Sequence, residues 1–110
     1  MKTKVTTNKQ AIKITKRLEA QLKEATDIFN DEMIIKTNNC DTFLTTTIHS
    51  DKQWIMSRIV VERIIKIANR FCNRYEHMIW GFECGEYTSK TTGSKYPTPQ
   101  LYIQLSLSEV

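Results

Sequence analysis

Four cationic side chains in the second half of the chain have the spacing of a row that could bind a polyanion. The spacing of three, four and four residues places neighbours on one edge of an α-helix, and the four are Arg63, Lys66, Arg70 and Arg74. Such rows can neutralise the phosphates of a nucleic acid, and the planar guanidinium group matches phosphate geometry. The row therefore predicts a non-enzymatic module that binds nucleic acid through phosphates. The alternative interpretation is the solvated side of an amphipathic helix.

Residues 85–99 offer a second set of cations and aromatic rings. They are rich in turn formers and hold Lys90, Lys95, Tyr87 and Tyr96. A flexible loop with such side chains can clasp a phosphate backbone and stack bases. The string TTGSK lacks the full pattern of a phosphate-binding loop. The segment is therefore predicted to be a long exposed loop that assists the basic row, or else a plain hairpin loop or an arm for protein contacts.

Three apolar residues, Ile55, Met56 and Ile59, fall outside the apolar arc of the helix that carries the basic row. Ile55 and Ile59 are four residues apart and are neighbours on a helix surface. They are predicted either to be covered by the N-terminal segment or to bind a protein partner or a second copy. With the 85–99 loop, they support an alternative function: an adaptor or an inhibitor of a host enzyme, of the kind encoded by phages and mobile elements.

Residues that could perform catalysis or bind metal are few. A second alternative function is a small enzyme that uses His49 or His77, but the sequence contains no nucleophile elbow and no HExxH pattern. The three cysteines are odd in number and form no CxxC pair, which argues against a zinc site and a complete disulfide framework. We therefore expect no catalytic residue, no metal and no other cofactor. The cysteine usage favours a reducing, cytoplasmic setting.

Two amphipathic helices are predicted to position these side chains. The first runs from about Asn8 to about Asn30, because its apolar residues recur every three or four positions; they are Ala11, Ile14, Leu18, Leu22, Ala25 and Phe29. Thr7 and Gln10 have the spacing of an N-terminal capping box. Ser50 and Gln53 repeat that spacing, which predicts that the second helix begins near residue 50 and ends near Glu76.

Four strands are predicted from runs of β-branched and alternating residues. The runs EMIIKT and TFLTTTIH form one hairpin through the turn NNCD, and HMIWGFEC and PQLYIQLSLS form a second through the 85–99 loop. In the last run Leu101, Ile103, Leu105 and Leu107 alternate with polar residues or Tyr102. One face of that strand is therefore predicted to lie against the core.

The 110 residues, 40% hydrophobic and 25% charged, are predicted to form one α+β domain over residues 1–110, with residues 1–7 flexible. The order αββαββ predicts a two-layer sandwich of two helices on one face of a four-stranded antiparallel sheet, similar to a permuted ferredoxin-like arrangement. The net charge is +4, and no run is apolar enough to span a membrane, so we expect no membrane partner. The open sheet face makes a homodimer a further expectation.

Overall fold

A computed structural model describes residues 1–27, 33–50 and 57–109 of the chain. The elements are α1 (Asn8–Asp27), β1 (Met33–Cys40), β2 (Phe43–Ser50), α2 (Arg58–Arg74), β3 (Met78–Thr88) and β4 (Lys95–Ser106). The strands form one antiparallel sheet in the order β1-β2-β4-β3. The predicted α+β class and the αββαββ order are therefore confirmed.

The core lies between the two helices and one face of the sheet. The helices contribute fully buried side chains such as Leu18 and Ile64, and the strands contribute Leu44, Ile48, Leu101, Ile103 and Leu105. These strand residues lie at alternate positions and therefore point to the same face. The alternation predicted for β4 is confirmed from Leu101 to Leu105, where every second residue is buried. It was wrong for Leu107, which follows the strand and is half-buried, while Ser108 is buried instead.

Hydrogen bonds from side chains define where each helix begins. Before α1, the Thr7 hydroxyl accepts from the backbone N–H of Gln10 at 3.2 Å, and the Gln10 side chain accepts from the N–H of Thr7 at 3.3 Å, as the capping box predicts. The predicted start of the second helix was wrong, because Ser50 is the last residue of β2, and Gln53 lies outside the described residues. The predicted end near Glu76 agrees with the observed end at Arg74. The N-cap of α2 is Ser57, whose hydroxyl accepts from the N–H of Val60.

The turn of the first hairpin begins three residues later than predicted, at residue 41 instead of Asn38. Asn38, Asn39 and Cys40 belong to β1, and residues 41–42 make the turn. The Asn39 side-chain amide exchanges hydrogen bonds with that of Asn8, which ties the end of β1 to the start of α1.

The predicted 85–99 loop is largely strand. β3 extends to Thr88 and β4 begins at Lys95, so only residues 89–94 connect them, with Gly93 in the left-handed region at φ 73°. β2 pairs with β4 only from Leu101 onward. Residues 83–88 and 95–100 therefore form a two-stranded extension about 20 Å long, here called the arm, which includes Pro97 and Pro99.

The N-terminal segment, predicted to be flexible, makes backbone hydrogen bonds to two other parts of the chain. The N–H of Thr3 donates to the carbonyl of Arg74 at 2.8 Å, and the N–H of Glu76 donates to the carbonyl of Thr3 at 2.9 Å. Val5 is buried, and its carbonyl accepts from the N–H of Ser108. Residues 3–5 therefore join the end of α2 to the segment that follows β4.

Candidate functional site

A groove between α1 and α2 is lined by four arginine side chains. Its volume is about 640 Å³, and one of its lining side chains, Glu24, is a carboxylate. Three of the arginines come from α2 and one comes from α1; the arginine groove is defined here by Arg17, Arg63, Arg70 and Arg74. Ile67 and Phe71, which are almost fully buried, form part of its wall. The groove therefore combines an apolar base with several guanidinium groups.

Three of these arginine side chains make hydrogen bonds or cation–π contacts with neutral side chains. Arg70 Nη2 donates to Gln21 Oε1 across the groove at 2.8 Å, and Arg17 Nη2 donates to the Tyr75 hydroxyl. The Arg74 guanidinium carbon lies 5.7 Å from the centre of the Tyr75 ring, within the range of a cation–π contact. Because an amide and a phenol carry no charge, these contacts orient the guanidinium groups without neutralising them.

The structure separates the predicted basic row into two parts. Arg63, Arg70 and Arg74 line the groove, whereas Lys66 is exposed and is not part of the groove wall. The helical repeat explains the difference, because Lys66 is rotated about 40° from Arg70, on the side away from α1. Arg17 was missed by sequence reasoning. Its position beside Leu18, on the flank of the apolar stripe, was the available signal.

A second cavity continues the cationic surface towards the N-terminus. Its volume is about 620 Å³, and its lysines, which define the lysine cleft, are Lys4, Lys13 and Lys16. Arg17 and Tyr75 line both this cleft and the arginine groove. The two cavities therefore adjoin, and cationic side chains follow the helix pair from Arg63 to Lys4.

The other predicted binding residues lie away from the groove. Lys90 is in the turn of the arm, and Lys95 forms an ion pair with Glu86 at 3.5 Å, with both side chains well exposed. Tyr96 is exposed on the arm opposite Tyr87. Neither lysine lines the arginine groove. Ile59 is 53% exposed on α2, while Ile55 and Met56 lie outside the described residues.

The two histidines do not form a pair. His49 is buried at the end of β2, and its Nδ1 lies 3.0 Å from the Ser50 carbonyl oxygen. His49 follows Ile48, which pairs with Leu101, whereas the His77 carbonyl accepts from the N–H of Ser106. These positions on β4 are separated by about 16 Å. Within residues 1–27, 33–50 and 57–109, no group of three or more His, Cys, Asp or Glu side chains could hold a metal ion.

The cysteines differ in their surroundings, which leads to a prediction about thiol reactivity. Burial raises the pKa of the Cys72 thiol to about 11, although the positive charge of Lys2 opposes the shift. Cys40 and Cys84 are exposed. Because the thiolate is the reactive form, we expect Ellman's reagent at about pH 8 to label two thiols quickly and Cys72 at least a hundredfold more slowly. The Cys40→Ser/Cys84→Ser double variant should retain only the slow phase, and three equal rates would contradict the assignment.

Neither described helix has the length and apolar composition needed to cross a bilayer. Comparison of the chain with protein-family models, with curated proteins and with solved structures gives no match.

Proposed function

We propose that this chain is a non-enzymatic module that binds nucleic acid through phosphate contacts in the arginine groove. The observation that supports the proposal is the convergence of four guanidinium groups from two helices on one cavity, with three of them oriented by neutral partners. Charge-assisted hydrogen bonds from a guanidinium fork to phosphate are among the stronger polar contacts in proteins. Several oriented guanidinium groups in one groove favour a ligand that carries several phosphates.

The dimensions of the groove favour one strand of a polymer over a single small anion. From Arg63 to Arg74 the helix rises about 16 Å, a length that several consecutive phosphates of one strand can span and a single small anion cannot. The axes of packed helices lie about 8–10 Å apart, and this distance limits the width of a groove between them. A groove of that width accommodates one phosphate backbone better than a whole duplex. We therefore expect contacts with one strand that depend little on base sequence, because phosphates carry no direct sequence information.

The proposal is tested by fluorescence anisotropy with labelled single strands of about twenty nucleotides. We expect binding that is similar for unrelated sequences and that weakens as salt rises from about 50 to 200 mM, with a slope of log K against log salt of about −2 to −3 for four phosphate contacts. No binding at the lowest salt, or a slope near zero, would contradict the proposal. A cytoplasmic location and a homodimer remain predictions.

A second candidate function is binding to a protein partner, as an adaptor or an enzyme inhibitor. The observation in its favour is the exposure of two of the side chains predicted to form an interface, Ile59 on α2 and Tyr96 on the arm. Aromatic side chains such as tyrosine are enriched in protein interfaces. If a protein partner resists nuclease and high salt, and Ile59→Asp abolishes its binding while Arg70→Ala does not, this second function is favoured over the first.

A further inference from the structure

β3 is a border strand of the sheet, and the side of β3 that faces away from β4 is called the β3 edge here. Among the described residues, no strand pairs with this side. β3 has 11 residues, and its register with β4 is continuous from Met78 to Thr88, without a bulge. The backbone N–H and C=O groups of such an edge can pair with a strand of another molecule, and proteins commonly protect their edges against this.

The β3 edge lacks the protective residues found on the other unpaired edges of the sheet. Pro97 and Pro99 interrupt the unpaired edge of β4 in the arm, and β1 carries the exposed Lys36 near its centre. Proline and lysine are the residues that most often protect an edge strand. β3 contains neither of them. The β3 edge is therefore the one best suited to pairing with another strand.

The two acidic side chains of β3 are engaged by β4. Gln100 Nε2 donates to Glu83 Oε1 at 2.9 Å, and Glu86 Oε1 lies 3.5 Å from Lys95 Nζ. Both contacts draw the carboxylates towards β4, which lies on the other side of β3 from the β3 edge. The two negative charges therefore do not block the approach of another strand.

The prolines of β4 show which backbone groups of β3 point outward. Pro97 lies opposite Glu86, and Pro99 lies opposite Cys84. Because proline has no N–H to donate, these are non-hydrogen-bonded pairs, in which Glu86 and Cys84 direct their own N–H and C=O groups away from β4. The same holds for every second residue back to Trp80, since the register has no interruption. The β3 edge therefore presents a regular series of donors and acceptors.

Apolar side chains accompany the β3 edge on both faces of the sheet. On the helix side Phe82 is 44% exposed, and its ring packs edge-on against that of Trp80 at 6.2 Å. Trp80 Nε1 donates to Asn69 Oδ1 at 2.7 Å, which places α2 beside this part of the strand. Ile65 is half-buried one turn before Asn69, on the flank of α2 away from the arginine groove. On the opposite face Ile79 is 56% exposed.

We propose that β3 pairs antiparallel with β3 of a second copy around a two-fold axis beside Phe82, so that two four-stranded sheets form one continuous sheet. In this register Phe82 lies opposite its own counterpart, and residues 83–86 of each arm lie along residues 78–81 of the other copy. Glu83 then faces Gly81, and Glu86 faces Met78, so no like charges meet.

A second copy fits the β3 edge better than an unrelated strand, because one segment supplies both sides of the interface. A two-fold interface requires a surface that is complementary to itself. The β3 edge meets this requirement, with an apolar centre at Phe82, unblocked backbone groups on either side and acidic side chains that face uncharged residues. The inference does not depend on the proposed function, because the arginine groove lies on the other flank of α2.

The association state is measured by sedimentation equilibrium of the full chain without nucleic acid. Between about 5 and 200 μM we expect the average mass to rise towards twice the 12.9 kDa of one chain. Phe82→Lys and Phe82→Glu should each raise the dissociation constant at least about tenfold, because like charges would meet at the axis. An equimolar mixture of the two variants should restore the dimer, since opposite charges then meet. A wild-type chain that stays monomeric, or a mixture of folded variants that does, would overturn the inference.

Two further variants separate the β3 edge from other surfaces. Cys84→Pro removes an outward N–H without removing a hydrogen bond to β4, so it should also raise the dissociation constant at least about tenfold. Ile59→Lys adds the same charge at an exposed site elsewhere on α2 and should leave the constant within about twofold. Circular dichroism checks the fold, and Cys84→Pro serves as the test if the Phe82 variants unfold. A dimer that persists in folded Cys84→Pro, or one that Ile59→Lys dissociates equally, would overturn the inference.

Discussion

Replacing Arg70 and Arg74 together with alanine is expected to weaken nucleic-acid binding about tenfold at 0.15 M salt and to flatten its salt dependence. Both side chains line the arginine groove, and each is oriented by a neutral neighbour. Each phosphate contact with a single strand contributes about 0.7 to the slope of log K against log salt, so the loss of two contacts should reduce the slope by about 1.4. Anisotropy titrations at several salt concentrations measure both effects.

The matched control removes two positive charges from elsewhere on the surface. Lys23 and Lys36 are exposed, and neither lines the arginine groove. The Lys23→Ala/Lys36→Ala double variant should therefore keep its affinity within about twofold and retain nearly the full salt slope. If this control weakens binding as much as the arginine variant does, the net charge of the molecule is responsible and the groove is not the site.

A second large effect is expected from Ile64→Ala, which should lower the free energy of unfolding by about 2–5 kcal/mol. Ile64 is 0% exposed and belongs to the core between α2 and the sheet. Truncation removes its buried methyl groups and leaves a cavity that the neighbouring side chains fill only in part. Because small domains have total stabilities of about 5–15 kcal/mol, urea unfolding should show a clear shift of the midpoint.

Ile59 provides a matched control on the same helix. Its side chain is 53% exposed, so Ile59→Ala should change the free energy of unfolding by no more than about 0.5 kcal/mol. The comparison holds residue type and helix constant and varies burial. A loss at Ile59 as large as that at Ile64 would show that the Ile59 side chain is covered in solution, for example by a second copy of the chain.

The sequence predicts best those helices and strands whose apolar residues recur at a regular spacing. Leu18 and Ile64 lie in stripes that recur at three and four residues, and Leu101–Leu105 alternate, so the two helices and the last strand follow directly. The start of α2 could not be found in this way. Ser50 has the spacing of a cap, but its pairing opposite Met33 in the sheet competes with that role, and Ser57 caps the helix instead.

The same contrast holds for the candidate site. The helical spacing of Arg63, Arg70 and Arg74 is visible in the sequence, and all three line the groove. The same spacing added Lys66 to the row, but Lys66 does not line the groove. Arg17 lies more than forty residues away, and its place in the groove depends on how α1 packs beside α2. Contacts such as that between Gln21 and Arg70 are set by this packing, which neither helix specifies alone.

The two prolines of the arm oppose self-association through the edge of β4. Within the arm, β4 has β3 on one side and, among the described residues, no strand on the other, and an unpaired edge of this kind can recruit a strand from another molecule. Successive residues of a paired strand direct their N–H groups to opposite sides, and Pro97 and Pro99 fall at alternate positions. Because proline has no N–H, that edge lacks donors at both positions. The arm can therefore project from the molecule without offering this edge as a template for cross-β aggregation.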